Sequence, residues 1–572
     1  MTTLLDVSFP NTLDALVDRL SAPAWAGSDV EAWVFEDFAA RHAAELALAT
    51  NRVNARIRSA YKPLVHAMLE EIDLAGAGEI VIATPTHPAG SARRFRLEAF
   101  PLAGLVSAQV RFEEGGEALT YRVTLDGDRQ FSVFAPNSIR RDPAGNNQLS
   151  PCGWLRISRA GVRFEDRMLV TDYAQAFDAA MAAIAAHPWP PQFPYFETLE
   201  ISVRVGGIAR RLDFHDECMD TREALHEDFY FSLLEFFQAR AGLAQGDRTL
   251  QPGQIIPDIA LGEGATIVQI RLAAPVVMPV VPEPCIDLAT VARPLRPGEI
   301  AAEMAALGGA PFSFPSWQKR TILGMHFAGR KPGFLLSGGQ HANETSGVVG
   351  ALRAAHELVK IPDINFTLIA QENVDGYALH QRLIADNHRH MHHAARYSAL
   401  GDDIEARRVP PLHEKAAREH AFGLCGARLH LNLHGYPAHE WTRPFSGYLP
   451  RGFEMWSIPK GFFLILRHHP GMGGKVDGFL RALTARVIET PGLRDYNATQ
   501  IAAWHAHAGD MPFAVINGIP CNIAESDRAT VPFTLITEYP DETVYGDAFR
   551  LAHEAQYATV MASVELFLGG AL

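Results

Sequence analysis

The first half of the chain shows two kinds of hydrophobic pattern. Residues 29–75 are rich in alanine and poor in helix breakers, which predicts one or two helices. Residues 118–126 and 199–205 alternate apolar with polar positions, the period of two that is typical of a half-buried strand. Helical stretches are expected at 174–187 and 221–241. The pattern therefore predicts an α+β N-terminal region.

After about residue 300, short apolar runs alternate with loops and helical stretches. The runs lie at 333–337, 365–370, 429–433 and 533–537. Buried strands that alternate with helices predict an α/β domain with a largely parallel or mixed sheet. In such domains the loops at the strand ends carry the chemistry.

Clusters of proline mark the predicted domain boundaries. Breakers gather at 188–191, and six prolines lie between 275 and 297. We expect an N-terminal α+β region at 1–190, a small α+β region at 191–275, a proline-rich linker at 276–299 and an α/β domain at 300–572. No role is assigned to the first two.

Composition narrows the class of protein. The 572 residues carry a net charge of −14, which argues against partners such as nucleic acid or an anionic membrane surface. No apolar run approaches the ~20 residues that span a bilayer, and the first residues lack the basic start of a signal peptide. Five dispersed cysteines indicate reduced thiols. We expect a cytoplasmic protein.

The sharpest chemical signal lies at 337–345, just after an apolar run. His341 and Glu344 are three residues apart at the opening of a predicted helix, so that both side chains can converge on one ion. A third donor is available in the strand predicted at 429–436, where leucines fall on one side and His430, Asn432 and His434 on the other. His434 stands at the strand end, where a side chain can face a cleft.

Together these motifs resemble the zinc carboxypeptidases of the M14, or funnelin, family. Residues 319–336 resemble the strand pair that leads into the family's HxxE motif, and 373–376 its Asn-Pro-Asp-Gly turn, with Val for Pro. Residues 534–538 resemble its late strand ending in the catalytic glutamate. The resemblance covers about 300–572 and implies a zinc-carboxypeptidase-like mixed sheet with flanking helices. It also implies one Zn²⁺ per chain, held by His341, Glu344 and His434.

The resemblance also assigns the catalytic groups. Glu538 would be the general base, with Glu525 as the alternative. Glu538 is preferred because an apolar strand delivers it, whereas Glu525 lies in a polar stretch that is typical of a loop. Arg389 is the nearest equivalent of the family's arginine that offsets negative charge on the attacked oxygen, and the spacing of Arg382 and Arg396 fits less well.

The sequence departs from the family where substrate is bound. Relatives recognise a C-terminal carboxylate with an Asn-Arg pair, but here Glu405 stands in place of Asn, Ala406 in place of Arg, and Arg407 one position late. A carboxylate at 405 is expected to repel a substrate carboxylate and attract an amine. Glu405 and Arg407 are the candidate substrate-binding residues.

Tyr436 is the candidate for the family's mobile tyrosine, with Tyr448 and Tyr539 as alternatives.

The expected activity is hydrolysis of an amide bond in a peptide or amino-acid conjugate. Residues 340–344 also resemble the zinc motif of the aspartoacylase and succinylglutamate desuccinylase branch, so an N-acyl amino acid deacylase is an alternative. A non-catalytic metal-binding module is a third. The chain contains no HExxH, GxSxG or P-loop motif.

Two other clusters of polar residues have simpler interpretations. The histidines at 388–393 are read as a site wall or exposed loop in preference to a second metal site, because no carboxylate lies at close ligand spacing. The acidic stretch at 215–228 precedes a predicted helix, where capping and solvated charge are expected.

Overall fold

The computed structural model describes residues 2–142, 145–448 and 458–572, and the chain divides into two compact units. The N-terminal unit contains residues 1–274, 439–457 and 503–510, and the C-terminal unit contains 275–438, 458–502 and 511–572. Residues 1–190 and 191–274, expected as two separate regions, thus fall in one unit, and Pro275 belongs to the other. Two later segments also join the N-terminal unit, a feature that no local pattern predicted.

The N-terminal unit is α+β. Its helices are α1 (Thr12–Leu20), α2 (Phe38–Thr50), α3 (Pro63–Glu70), α4 (Arg94–Glu98), α5 (Leu102–Leu105), α6 (Asp172–Ala186) and α7 (Thr221–Arg240). Its strands are β1 (Thr2–Phe9), β2 (Asp29–Val34), β3 (Asn54–Ser59), β4 (Glu79–Thr84), β5 (Gln109–Glu114), β6 (Thr120–Leu125), β7 (Arg129–Phe134), β8 (Asn137–Arg141), β9 (Asn147–Pro151), β10 (Gly153–Arg159), β11 (Val162–Leu169), β12 (Thr198–Val205), β13 (Ala209–Arg211), β14 (Cys218–Asp220), β15 (Gln254–Leu261) and β16 (Thr266–Ala273).

Most of the expected elements of this unit are confirmed, and one expectation is wrong. The strands expected at 118–126 and 199–205 correspond to β6 and β12, and the helices to α6 and α7. Residues 29–75, however, contain the parallel pair β2 and β3 as well as α2 and α3. Val30, Ala32 and Val34 of β2 are buried, and the alanines of the following helix obscure this short alternation.

The acidic stretch at 215–228 has a different role from the one expected. Asp220 does cap α7, accepting hydrogen bonds from the backbone N–H groups of Arg222 and Glu223 at 2.8 and 3.1 Å. The carboxylates of α7 are buried and bind the inserted segment, which we define as residues 439–448. The pairs are Glu223 with His439, Asp228 with Phe445 and Ser446, and Glu235 with Arg443. This helix therefore holds a segment some 210 residues further along the chain.

The C-terminal unit is a mixed α/β domain. Its helices are α8 (Pro297–Ala306), α9 (Ser346–Leu358), α10 (Val374–Asp386), α11 (His393–Arg396), α12 (Glu414–Cys425), α13 (Val476–Val487), α14 (Leu493–Ala508) and α15 (Asp547–Leu568), and α14 ends in residues of the N-terminal unit. Its strands are β17 (Ala310–Pro315), β18 (Thr321–Phe327), β19 (Phe334–Gly338), β20 (Phe366–Ile369), β21 (Leu429–Pro437), β22 (Phe463–His468), β23 (Ala514–Ile516), β24 (Ile519–Glu525) and β25 (Phe533–Glu542).

These strands form one sheet in the order β17-β18-β20-β19-β21-β25-β22-β24-β23. The central strands β20, β19, β21 and β25 are parallel, whereas β18 and β22 run antiparallel to their neighbours β20 and β25. The expected mixed sheet with flanking helices is therefore confirmed. Because β19, β21 and β25 are parallel, their carboxyl ends meet at one edge, where loop side chains can converge.

The core of this unit includes part of the predicted linker. Leu336, Leu431 and Leu535 from the central strands are buried with the apolar faces of α9 and α15. Leu288 and Leu295 are buried in the same core, so the second half of the proline-rich stretch packs on the C-terminal unit. No helix in the described part of the chain combines the length and apolar composition needed to cross a membrane.

Candidate metal centre

Three neighbouring strands deliver the candidate ligands and the candidate base to one edge of the sheet. His341 follows β19 through a turn at Gly339, whose φ of +63° suits glycine. A Cβ at this position would lie 2.5 Å from the side-chain amide of Gln371. His434 lies near the end of β21, and in the parallel pairing with β25 it stands opposite Glu538. The sequence analysis identified all three side chains, and the structure brings them to the same edge.

His341, Glu344 and His434 form a compact, buried cluster. The Nδ1 atom of His341 lies 2.7 Å from one Glu344 oxygen, and the Nδ1 atom of His434 lies 2.9 Å from the other. The two Nδ1 atoms are 3.2 Å apart. The three residues are only 5%, 1% and 5% exposed. Within the described residues, this is the one group of three or more His, Cys, Asp or Glu side chains with ligand atoms all within 4.8 Å.

The donor set of this cluster fits a zinc ion. Two imidazole nitrogens and one carboxylate are the protein ligands of a known class of catalytic zinc sites, which keep a further position for water or substrate. The two Nδ1 atoms are 3.2 Å apart, and each lies 2.7 or 2.9 Å from an oxygen of Glu344. At these distances a proton or a cation must lie between the nitrogens and the carboxylate. The residues therefore fit the metal that the family resemblance implies.

The protonation of the cluster follows from burial and from its own charges. Burial and Arg396 lower the pKa of the His341 imidazole, but the carboxylates of Glu344 and Asp403 outweigh them and raise it. Burial lowers the pKa of His434, in spite of Glu344. Burial by itself would raise the pKa of Glu344, yet the neighbouring positive charges of His341, Arg396 and His434 hold it well below its usual range. Glu344 is thus an ionised carboxylate.

Glu538 has the opposite electrostatic environment. It is partly buried at the same edge, and burial, followed by the charge of Glu344, raises its pKa well above the usual range. A carboxyl group with a raised pKa is suited to accept and release a proton. Glu525, the alternative base, is exposed at the end of β24, and not in the loop that the sequence predicted. In β24 it pairs with His468 of β22.

The arginine beside the cluster is Arg396. Its guanidinium donates a hydrogen bond to Glu344 and lies 3.8 Å from Glu542. Arg389, the expected equivalent, lies instead over the ring of Tyr545, with Cζ 5.8 Å from the ring centroid. The short helix α11 brings Arg396 back toward the strand ends. Arg389 was preferred on its spacing along the sequence, which does not reveal this turn. No motif in the sequence around Arg396 distinguishes it from Arg389.

The candidate substrate-binding residues lie in a dense ionic network. The Arg407 side chain is buried and donates hydrogen bonds to Asp402 and Glu414. Glu405 is half-exposed and accepts a hydrogen bond from Arg418 of α12 at 2.6 Å. Arg418 was not identified from the sequence, because its partner Gln340 lies 78 residues earlier in the chain. The charge of Glu405 is thus offset by an internal partner.

The tyrosines expected near the cluster are placed elsewhere or engaged with other groups. Tyr436 donates a hydrogen bond to the backbone carbonyl of Gly461 at 2.6 Å. Tyr539 stacks on Tyr496, with ring centroids 5.7 Å apart, and Tyr448 belongs to the N-terminal unit. Tyr397, which the sequence analysis did not single out, has its ring centroid 6.4 Å from that of His341.

The histidines at 388–393 do not converge as the three ligands do. His390, His392 and His393 are buried. The ring centroids of His390 and His392 are 6.0 Å apart, and the Nε2 atom of His392 lies 3.0 Å from the backbone carbonyl of Asn387. In the described residues these side chains do not meet the spacing of a three-ligand site. A buried wall agrees better with this arrangement than a second metal site.

Comparison with known proteins shows a likeness of structure over about half of the chain. A metallo-carboxypeptidase from Burkholderia cenocepacia is similar over 54% of this chain and 77% of its own, with 12% identity and a TM-score of 0.29. Carboxypeptidase A from Helicoverpa armigera is similar over 55% of this chain and 90% of its own, with 9% identity and a TM-score of 0.31. No family model and no curated protein matches the sequence.

Proposed function

We propose that the C-terminal unit is a zinc-dependent hydrolase that cleaves an amide bond in a peptide or amino-acid conjugate. One observation supports this above the others: two imidazoles and a carboxylate converge within 4.8 Å, with Glu538 opposite His434 in the neighbouring strand. His341, Glu344 and His434 would hold the ion. When bound, zinc supplies a Lewis acid that polarises a carbonyl group and makes water more acidic.

The residues around the cluster divide the proton and charge chemistry between them. Glu538, the carboxyl group with the raised pKa, accepts the proton of the attacking water and passes it to the leaving nitrogen. Arg396 is a partly buried cation beside Glu344 and offsets negative charge that develops on the attacked oxygen. The Nε2 atom of His341 lies 3.6 Å from Asp403, a carboxylate that can orient the imidazole.

A second candidate function is N-acyl amino acid deacylation. The observation that favours it is the loss of the Asn-Arg pair at 405 and 406, together with the engagement of Arg407 in buried ion pairs. A deacylase acting on small conjugates has no need of a site for the C-terminal residue of a long peptide. The two candidates share the metal centre and the base, and they differ in substrate size.

A substrate panel with matched variants tests the proposal. Glu538→Gln should retain zinc and lower kcat by at least about 100-fold, the low end for a positioned acid–base group. Glu525→Gln, which alters an exposed carboxylate on strand β24, separated from β25 by β22, should leave kcat within about twofold. Trimming of peptides with free C-termini, but not of amidated ones, supports a carboxypeptidase, and turnover of N-acyl amino acids alone supports a deacylase.

The opposite pattern would overturn these assignments. Full activity in Glu538→Gln, with loss in Glu525→Gln, would show that the other carboxylate is the base. Zinc binding without cleavage of any amide in the panel would support a metal-binding module and contradict the hydrolase.

A further inference from the structure

The guanidinium of Arg418 has an unusual set of partners. Its Nε atom lies 3.0 Å from both oxygens of Glu372, and its Nη2 atom donates a hydrogen bond to the side-chain oxygen of Gln340 at 2.6 Å. Its Nη1 atom donates one to Glu405, also at 2.6 Å. Three of the four acceptor atoms thus belong to the buried side chains of Glu372 and Gln340.

Glu405 is the exposed member of this set. Its side chain is 52% exposed, whereas that of Arg418 is 3% exposed. Two further cations lie near the same carboxylate, Arg408 at 3.9 Å and Lys415 at 4.0 Å. Water can replace Arg418 around the half-exposed carboxylate of Glu405, and Glu372 still neutralises the guanidinium when Glu405 leaves. Glu405 can therefore leave Arg418 at small cost, whereas Glu372 and Gln340 cannot.

The Arg418–Glu405 pair lies close to the metal centre. Gln340, which accepts from Arg418, precedes His341 in the chain, and its Nε2 atom is 3.5 Å from the Nε2 atom of His341. Asp403 lies on the same side, 3.4 Å from Gln340 and 3.6 Å from His341. One side chain thus separates the guanidinium from a candidate metal ligand. A group bound at Nη1 would therefore lie beside the chain of contacts that runs from Arg418 through Gln340 to the Nε2 atom of His341.

We propose that Glu405 is a displaceable internal ligand of Arg418, and that Arg418 binds a carboxylate of the substrate or product once Glu405 moves away. A guanidinium edge held rigid by buried partners is pre-organised for a carboxylate. The inference rests on the proposed function for its substrate. It also reverses the sequence-based expectation for Glu405, since this carboxylate has too many cationic neighbours to select an amine.

Binding of two matched probes to the zinc-loaded full chain, which carries Glu538→Gln so that neither probe is hydrolysed, tests the inference. The probes are N-acetylphenylalanine and its amide, which differ only in the carboxylate, and their dissociation constants are measured by calorimetry. Glu405→Gln removes the internal charge from an exposed position and should increase the preference for the acid over the amide by about tenfold, roughly the value of one charge-assisted hydrogen bond. Glu357→Gln, which alters a carboxylate of 45% exposure paired with Lys360, should leave that preference unchanged.

A double variant ties the gain to Arg418. Glu405→Gln combined with Arg418→Met should lose the added preference for the acid. An unchanged preference in Glu405→Gln, a gain that persists without Arg418, or no binding of the acid at millimolar concentration would each overturn the inference. Because binding is measured without turnover, a shifted preference in a protein that cleaves no amide would support this inference while contradicting the proposed hydrolase.

Discussion

Each unit buries histidine against glutamate, and the two clusters differ in a way that separates the proposed metal site from an ion pair of one imidazole and one carboxylate. In the C-terminal unit, His341 and His434 share Glu344, one imidazole on each oxygen. In the N-terminal unit, the Nε2 atom of His439 lies 2.7 and 2.8 Å from both oxygens of Glu223. The first cluster has two nitrogen donors that face one carboxylate, whereas the second has one imidazole that faces both oxygens of Glu223 and also interacts with Cys218.

The protonation of the two clusters differs accordingly. Burial lowers the pKa of His434, which favours the neutral imidazole that a metal requires. Burial also acts to lower the pKa of His439, but Cys218 and Glu223 outweigh it and raise that pKa well above the usual range. In the first cluster the pKa of His341 is raised and that of His434 is lowered, so the two imidazoles that share Glu344 are not both cations, whereas the single imidazole of the second cluster is a cation.

The largest effect that separates the two clusters is on zinc affinity. His434→Ala removes one of three protein ligands and should weaken zinc binding by more than about 100-fold, since even second-shell changes cost 10- to 100-fold. His439→Ala should leave zinc affinity within about threefold. Competition with a chromogenic chelator measures both. Equal losses in the two variants would remove the distinction between the clusters.

The second effect is smaller and concerns stability: here His439→Ala should be the more damaging of the two variants. His439→Ala leaves Glu223 buried without its cation, and breaking a buried pair costs about 3 kcal/mol of unfolding free energy. In protein kept zinc-free, His434→Ala should cost no more than about 1 kcal/mol, because His341 and Arg396 still neutralise Glu344. Urea unfolding in the presence of chelator compares the two. A larger cost for His434→Ala would contradict the structural role of His439.

The smallest effect concerns a buried histidine near no carboxylate. His380 is buried, makes no hydrogen bond through either ring nitrogen to the described residues, and has its pKa lowered to about 4 by burial. Because the folded-state pKa lies below the unfolded value of 6.5, its contribution to stability is complete above pH 6.5 and is lost as the pH falls toward 4. Wild type should therefore lose about 1 kcal/mol relative to His380→Leu between pH 7 and 5.5. Unfolding curves at the two pH values test this, and a constant difference would contradict it.

Much of the metal cluster could be predicted because its information is local. His341 and Glu344 are three residues apart, and the alternation of leucines in β21 predicted the side on which His434 would lie. The fold of the C-terminal unit followed from apolar runs that correspond to β19, β20, β21 and β25. Each of these signals lies within about ten residues of chain.

The remaining features depend on contacts between distant segments. Arg396 reaches Glu344 because of α11, and Arg418 reaches Gln340 from a helix more than seventy residues away. The inserted segment at 439–448 belongs to the N-terminal unit through ion pairs with α7 that no spacing in the sequence announces. In residues 29–75 the burial pattern of β2 is too short to stand out against the alanines of α2. Tertiary packing decides all of these.

The most direct test of the account is the zinc content of two isosteric variants, one in each cluster. Wild type and Glu223→Gln should each hold about one zinc per chain after purification without chelator, whereas Glu344→Gln should hold less than half an equivalent and take up none on reconstitution. Element analysis by mass spectrometry on the same preparations gives the result. A full equivalent of zinc in Glu344→Gln, or less than half an equivalent in wild type, would contradict the assignment of His341, Glu344 and His434 as the metal centre.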